Sequence, residues 1–167
     1  MTAPFRIEAL SGQNREAFHC DEPALDTYLR SQASQDIKRR VANCFVAVEV
    51  ATGALAGFYT LSAASLAMHE LPAELTKRLP RYPSLPAVRI GRLAVDVSFQ
   101  SRGLGGALLA DAASRTLSLS VAAYALIVDA KNERAVTFYE HHGFRRFVSS
   151  ERMLYLPVET ARKAMLR

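Results

Sequence analysis

The spacing of hydrophobic positions changes several times along the chain, and each change marks an element. Residues 5–10 alternate weakly and predict a short first strand. Asp21-Glu22-Pro23 places acids and a proline where a helix starts. Ala24, Leu25, Tyr28, Leu29 and Ala33 then recur at helical spacing, so residues 23–39 predict one helix or two short ones. Residues 44–50 read as a strand, Ala51-Thr52-Gly53 turns it, and residues 55–62 return as the second arm of a hairpin. Pro72, Pro80, Pro83 and Pro86 punctuate the segment 68–86, which predicts a short helix at 72–78 and then a constrained loop displaying Arg78, Arg81 and Tyr82. Residues 88–97 predict a strand central to its sheet. Leu104, Leu108 and Ala112 mark the inner stripe of a helix running to about residue 118. Residues 123–129 are apolar almost throughout, as in a parallel strand covered on both faces. Residues 132–142 predict a helix stopped by Gly143, with Ala135 and Phe138 facing inward and Tyr139 one position further round. Residues 144–148 and 152–156 form a closing antiparallel pair, and Pro157 opens a short amphipathic helix.

The order is β-α-β-β-β-α-β-α-β-β-α. The strand, crossover helix and strand over 88–129 require one right-handed parallel unit, and the hairpins supply antiparallel pairs. The expected fold class is α/β (α+β): a mixed, mostly antiparallel sheet with one parallel βαβ unit, flanked by helices. With 167 residues and neither repeat nor linker, residues 1–167 are expected to form one domain.

Composition narrows the classes. Hydrophobic residues make up 50% and charged residues 22%, ordinary for a soluble globular protein. No apolar run approaches the roughly 20 residues of a membrane span, and the first residues lack the layout of a signal peptide. Cytoplasmic residence without membrane attachment is the expectation. Cys20 and Cys44 form no Cys-x-x-Cys, and the four histidines match no metal-binding spacing, so two buried or half-buried thiols, no disulfide and no metal are expected. The net charge of +5 is clumped: Lys38-Arg39-Arg40, then Lys77, Arg78 and Arg81, then Arg89 and Arg92, then Arg145-Arg146, then Arg162, Lys163 and Arg167. Clumped positive charge attracts polyanions, although solvated basic faces have the same composition. The cluster at 38–40 also complements the C-terminal dipole of its helix.

The chemistry concentrates in two blocks. The first is a strand entering Gln100-Ser101-Arg102-Gly103-Leu104-Gly105-Gly106 at the mouth of a helix. Backbone N–H groups converge there at the positive end of a helix dipole and receive phosphate without a lysine. There is no Gly-x-x-x-x-Gly-Lys-Ser/Thr, and the glycine spacing is not that of a dinucleotide fingerprint. Together with Gln100 and Arg102, the loop points to a diphosphate cofactor; the plainer role is a tight loop that caps a helix. The second block runs from Asn132 to Phe144. Asn132 stands where a helix cap belongs. A tyrosine such as Tyr139, with an ordinary pKa near 10, can protonate a departing thiolate whose conjugate acid titrates at about 8–9; packing is its plainer role.

Taken together, strand–Gln-x-Arg-Gly-x-Gly–helix, strand, then Asn-x-x-Ala-x-x-Phe-Tyr-x-x-x-Gly-Phe resembles the GNAT superfamily of acyl-coenzyme A N-acyltransferases. The resemblance implies acetyl-CoA as cosubstrate. It implies that the loop Gln100, Ser101, Arg102, Gly103, Leu104, Gly105 and Gly106 binds the pyrophosphate, and that Leu93, Ala94 and Val95 pair with the pantetheine arm. Asn132 would contact that arm, and Tyr139 would protonate the coenzyme A thiolate. Phe18-x-Cys20 with Ala24-Leu25-Asp26-x-Tyr28-Leu29, Gly57-Phe58-Tyr59-Thr60-Leu61-Ser62, Leu79-Pro-Arg-Tyr-Pro83 with Pro86, Gly91-Arg92-Leu93-Ala94-Val95-Asp96 and Val128-Asp129-Ala130-Lys131 further resemble the GNAT toxins of toxin–antitoxin modules. That resemblance implies acetylation of the α-amine of aminoacyl-tRNA, arrest of translation, a homodimer, and neutralisation by a ribbon-helix-helix antitoxin. Ser101-Arg102 departs from the residues many members carry there, and phosphate binding is expected to survive the change.

No Asp or Glu stands out as a dedicated base, since Asp96 and Asp129 are equally readable as structural. An α-amine titrates at about 7.7–8, lower beside an ester, whereas a lysine near 10.4 needs deprotonating help. The missing base therefore favours an α-amine, attacking directly while backbone N–H groups near Val95 polarise the thioester and Tyr139 acts as acid. Lys38, Arg39, Arg40, Arg78, Arg81, Arg89 and Arg92 are candidates to hold the tRNA acceptor stem, with Arg92 alternatively a structural residue of the sheet. The rival readings are a GNAT enzyme acting on a small amine or a protein N-terminus, and a non-enzymatic acetyl-CoA-sensing or RNA-binding module.

Overall fold

Seven strands take the hydrogen-bonded order β1-β2-β3-β4-β5-β7-β6 in the computed structural model, which describes residues 4–166. They are β1 (Phe5–Ala9), β2 (Asn43–Glu49), β3 (Leu55–Ala67), β4 (Ser84–Val95), β5 (Ala125–Asp129), β6 (Arg145–Arg146) and β7 (Met153–Pro157). The helices are α1 (Pro23–Thr27), α2 (Ala33–Lys38), α3 (Ala73–Thr76), α4 (Leu104–Leu117), α5 (Glu133–His141) and α6 (Val158–Met165). β4 is the central strand, and its pairing with β5 is parallel, as the 88–129 crossover requires. The mixed α/β class expected from the pattern is the one found. The chain divides into two compact units, residues 1–62 with 91–112 and residues 63–90 with 113–167, so β3, β4 and α4 each contribute to both.

In the first unit β1 and β2 pair antiparallel with Ile7 opposite Ala47, and β2 pairs with β3 with Val46 opposite Phe58. Between α1 and α2 a π-helical turn, Tyr28–Gln32, makes residues 23–38 one continuous helical run; Ala33 N–H reaches back to Tyr28 O. The widened turn accompanies burial of the adjacent Tyr28 and Leu29. Their neighbours in the core include Phe18, Cys44, Val46, Phe58 and Ala94. Phe18 meets Phe58 edge-on at 5.6 Å, and Tyr28 stacks on Phe58 at 6.2 Å. Both cysteines are buried, and burial pushes the Cys44 thiol up to about 12.

Asp26 ties α1 to the chain before it. Its carboxylate accepts from Cys20 N at 2.9 Å and lies 3.1 Å from His19 Nδ1. Burial opposes its ionisation, but the hydrogen bonds from Cys20 and His19 outweigh that penalty and hold the carboxyl below its ordinary value. The ionised form is thus favoured by folding. This stabilisation is complete above the unfolded value of about 3.9 and lost as pH falls through the lowered folded value. Asp26→Asn should flatten the acid limb of a plot of melting temperature against pH from about 5 downward. An unchanged acid limb would contradict the linkage.

In the second unit the parallel register sets Ala87 opposite Ala125 and Ile90 opposite Val128, and β5 pairs antiparallel with β7, Ile127 opposite Tyr155. Leu66, Leu71, Leu85, Ala87, Ala125, Ile127 and Tyr155 form its core. Three of the departures from the pattern have a visible cause. β3 continues past Ser62 to Ala67 because Leu66 is buried while the intervening Ser and Ala residues offer no hydrophobic contrast to read. β4 begins at Ser84 in spite of Pro86. Leu85 and Ala87 are buried on either side of an exposed Pro86, whose carbonyl accepts from Tyr124 N at 2.8 Å. On α5 the buried residues are Val136 and Tyr139, with Ala135 and Phe138 only half-buried, so the inner stripe is rotated one position from the expected one.

Candidate functional site

The first unit assembles the glycine-rich loop at the mouth of α4. Gly57 on β3 lies so close to β4 that a Cβ there would sit 2.9 Å from Ala94 O and 3.1 Å from Leu108 Cδ1. Only glycine lets Leu93-Ala94-Val95 and the start of α4 come this near β3. Asp96, buried at the end of β4, then redirects the chain. One carboxylate oxygen accepts from Ser98 N at 2.8 Å and the other from His19 N at 2.9 Å, while Asp96 N donates to Ala56 O and Val97 N to His19 O. Its carboxylate is occupied structurally, which removes it as a candidate base. Phe99 is buried against Phe5 at 5.7 Å and anchors the loop beginning at Gln100.

In that loop Gln100 Nε2 donates to Val95 O at 3.1 Å, bracing strand end against loop. Ser101 at φ 64° and Gly103 at φ 78° are both left-handed, and Gly103 meets that requirement without strain. Helix α4 begins at Leu104, with Ala107 N bonding Gly103 O at 3.1 Å, so the N–H groups of Leu104, Gly105 and Gly106 belong to the first turn, which has no helical carbonyls to receive them. Leu104 and Leu108 are buried and fix the helix start. Arg102 is exposed, its guanidinium 5.4 Å from the Phe99 ring centroid. Leu93, Ala94, Val95 and Gln100 to Gly106 are thus continuous parts of one loop-and-helix mouth, a cradle of main-chain donors with one exposed cation beside it.

Arg92, one residue before that strand segment, is half-buried. Its Cζ lies 3.7 Å from the Tyr28 ring centroid, and its backbone N donates to Thr60 Oγ1 at 3.1 Å. Tyr28 in turn donates to Asp36 Oδ2 at 2.8 Å; burial and that bond raise its phenol, and the same bond lowers the Asp36 carboxyl against the opposing effect of burial. The structural alternative for Arg92 is the one this placement favours. Lys38 and Arg39 are exposed at the end of α2.

The second unit carries the remaining candidates. Asn132 caps α5, its Oδ1 accepting from Ala135 N at 2.9 Å, so the plainer role is realised and its amide nitrogen is left over for a ligand. Tyr139 is 7% exposed, flanked edge-on by Phe138 at 5.1 Å and Phe144 at 5.4 Å, and burial pushes its phenol up to about 12. Gly143, left-handed at φ 94°, turns the chain so that Phe144 N can bond Tyr139 O. Asp129 is exposed at the end of β5. Arg78 and Arg81 are exposed, and Arg89 is half-buried on β4. Glu74 pairs with Arg145, Glu133 and Glu140 with Arg146, and Glu159 with Arg162, so these arginines are neutralised locally. Among the described residues no cluster of three or more His, Cys, Asp or Glu could hold a metal ion, and no helix is long and apolar enough to cross a membrane.

Sequence reasoning missed Gly57 and the clamp around Asp96. A glycine inside an apolar strand run is a signal of close backbone approach, and Asp-x-Ser is one of a capping turn. Neither signal names its partner.

Residues 76–154 match the family described as Acetyltransferase (GNAT) domain. Over 163 residues the chain is 33% identical to the tRNA-acetylating toxin of Mycobacterium tuberculosis, covering 96% of this chain and 95% of that protein. The chain belongs to the GNAT acetyltransferases. This GNAT chain is also similar to AtaT complexed with acetyl-methionyl-tRNAfMet, at 29% identity and TM-score 0.88, over 96% of this chain and 99% of that one. A mutant AtaT toxin bound to the C-terminus of the antitoxin AtaR and acetyl-CoA is similar at 26% identity and TM-score 0.82, over 99% and 100% of the two chains.

Proposed function

We propose that this GNAT acetyltransferase is a toxin that moves acetyl from acetyl-CoA to the α-amine of aminoacyl-tRNA and so blocks translation, residues 1–167 acting as one domain. The observation that carries the proposal is the similarity, 33% identical over 96% of this chain, to a tRNA-acetylating toxin. The main-chain cradle at the mouth of α4 and a protonated, buried Tyr139 supply the chemistry such a toxin needs.

In this reading the first-turn N–H groups of Leu104, Gly105 and Gly106 bind the cofactor pyrophosphate, with Ser101, Gly103 and Gln100 holding the loop's shape and Arg102 adding charge. Leu93-Ala94-Val95 lines the pantetheine arm, and the Asn132 amide contacts it. The neutral α-amine attacks the thioester carbonyl, forming a C–N bond as the C–S bond breaks. A backbone N–H near Val95 polarises the carbonyl; those of Asp96 and Val97 are already bonded to Ala56 and His19. Tyr139 gives its proton to the leaving thiolate, and the proton shed by the amine passes to solvent, from which Tyr139 is restored.

Lys38, Arg39, Arg78, Arg81 and Arg89 hold acceptor-stem phosphates, while Arg92 acts chiefly by bracing β4 against Tyr28. Each exposed phosphate contact contributes about 1 to the slope of log affinity against log salt. Arg78→Ala and Arg81→Ala should each weaken tRNA binding and lower that slope by about 1, read from filter binding over a salt series. The partners we assign are aminoacyl-tRNA, a second copy of this chain and an antitoxin with a ribbon-helix-helix domain, all in the cytoplasm.

The test is direct: purified protein, acetyl-CoA and aminoacyl-tRNA, with thiol release and acetylated α-amine measured together. Both should appear only when all three are present. Acetyl transfer to small amines or protein N-termini with none to aminoacyl-tRNA would establish the rival enzyme. Binding of acetyl-CoA without turnover would establish a sensing module.

A further inference from the structure

The chain has 8 Phe, 6 Tyr and no Trp. Among the described residues every one of these rings is buried or half-buried except Tyr82, which is 60% exposed. An aromatic side chain left in water forgoes a large burial gain, so its surroundings bear on what it meets.

Those surroundings are stiff and cationic. Leu79 packs at the edge of the second unit's core and Leu85 is buried within it, so both ends of the segment are anchored. Between them, residues 80–84 are all exposed. Pro80 and Pro83 restrict the backbone, Tyr82 N closes a tight turn onto Pro80 O at 2.9 Å, and Met68 N bonds Pro83 O at 3.0 Å. The ring is therefore displayed on a pedestal that has little conformational freedom left to lose on binding. Lys77, Arg78 and Arg81 are exposed beside it in the chain.

A rigid, exposed ring among cations matches an unpaired nucleotide: the ring offers a stacking face for the base and the cations meet the flanking phosphates. We propose that Tyr82 is a stacking platform for a base of the unpaired 3′ end of the RNA substrate, with Arg78 and Arg81 gripping the phosphates around it. The proposal rests on the reading that aminoacyl-tRNA is the substrate, since its reactive amine is carried on that unpaired end. Tyr82 is a binding residue, placing the end of the substrate rather than taking part in acetyl transfer.

Wild type, Tyr82→Ala, Tyr82→Leu and Tyr82→Phe would be compared on intact tRNA and on tRNA stripped of its unpaired 3′ nucleotides, and with 2-aminopurine in the 3′ end as a stacking reporter. Tyr82→Ala and Tyr82→Leu should weaken binding of intact tRNA about tenfold or more and abolish quenching of the reporter, while Tyr82→Phe stays within about twofold. KM for aminoacyl-tRNA should rise with them, and KM for acetyl-CoA should not move. On stripped tRNA all four proteins should bind alike, because the partner of the ring is gone. The salt slope should be unchanged, since no charge is removed. A leucine that serves as well as tyrosine overturns the stacking role, as does a penalty that persists on stripped RNA. A lowered salt slope overturns it too, by showing that the substitution disturbed the arginines. Intact tRNA affinity combined with weakened binding of an antitoxin C-terminal peptide overturns it in favour of a protein partner. If wild type acetylates no aminoacyl-tRNA the underlying reading fails; if it does so and Tyr82→Ala is unimpaired, only the stacking role fails.

Discussion

Tyr139→Phe should lower kcat for acetyl transfer to aminoacyl-tRNA about a hundredfold or more, with acetyl-CoA affinity unchanged to within about twofold. The substitution removes only a hydroxyl, and the ring contacts with Phe138 and Phe144 persist. Any loss therefore reports the proton and not the packing. A pH profile adds a second reading. Burial holds the phenol at about 12, so the acid stays protonated through the range in which the enzyme can be assayed. As pH rises the rate should climb while the substrate amine loses its proton, at or below about 8, and then level off with no alkaline fall from Tyr139 before about 11. A bell-shaped profile falling near 10 would mean that the titrating acid is an ordinary exposed phenol elsewhere. Activity of Tyr139→Phe within about twofold of wild type would remove the acid role, and acetyl transfer would then require another donor.

Asp96→Asn should cost about 2 kcal/mol of stability and weaken acetyl-CoA binding about tenfold. The carboxylate accepts from two backbone N–H groups, Ser98 and His19, which approach separate oxygens. An amide of the same shape offers one acceptor and turns a donor toward the other N–H, losing one charge-assisted bond and adding a repulsion. In a domain of this size the melting temperature should drop by about 4–8 °C. The consequence for ligand binding comes from position: Asp96 lies between Val95 and the loop at 100–106, so loosening it lets the first turn of α4 shift from Leu93-Ala94-Val95. Surface residues such as Arg78 and Arg81 do not depend on the clamp, and tRNA binding should be unaffected. If acetyl-CoA affinity is untouched while stability falls, Asp96 supports the fold alone.

Much of the architecture was legible because period and punctuation both speak of local structure. The hairpin of β2 and β3, the 88–129 crossover, the loop–helix junction at 103–104 and the cap at Asn132 each rest on residues within a few positions of one another. The misreadings share a cause. β3 ran past Ser62 through Ala63, Ala64 and Ser65, whose side chains are too small to declare a face. β4 absorbed Pro86 at an exposed position, where its carbonyl still accepts from Tyr124 N. The stripe of α5 was displaced by one residue because Tyr139, read as one position round from the inward face, is buried along with Val136.

By itself the sequence determined which elements form, their order, the parallel crossover, and the residue types at the loop and at Tyr139, since backbone propensity and hydrophobic spacing act over short stretches of chain. Only the tertiary structure decided which groups are already occupied. Asp96 is consumed by His19 and Ser98, Arg92 is stacked on Tyr28, and Gly57 is required by Ala94 and Leu108. Most of those pairings link residues tens of positions apart, and whether a charged side chain is available to a substrate depends on what the fold has placed against it.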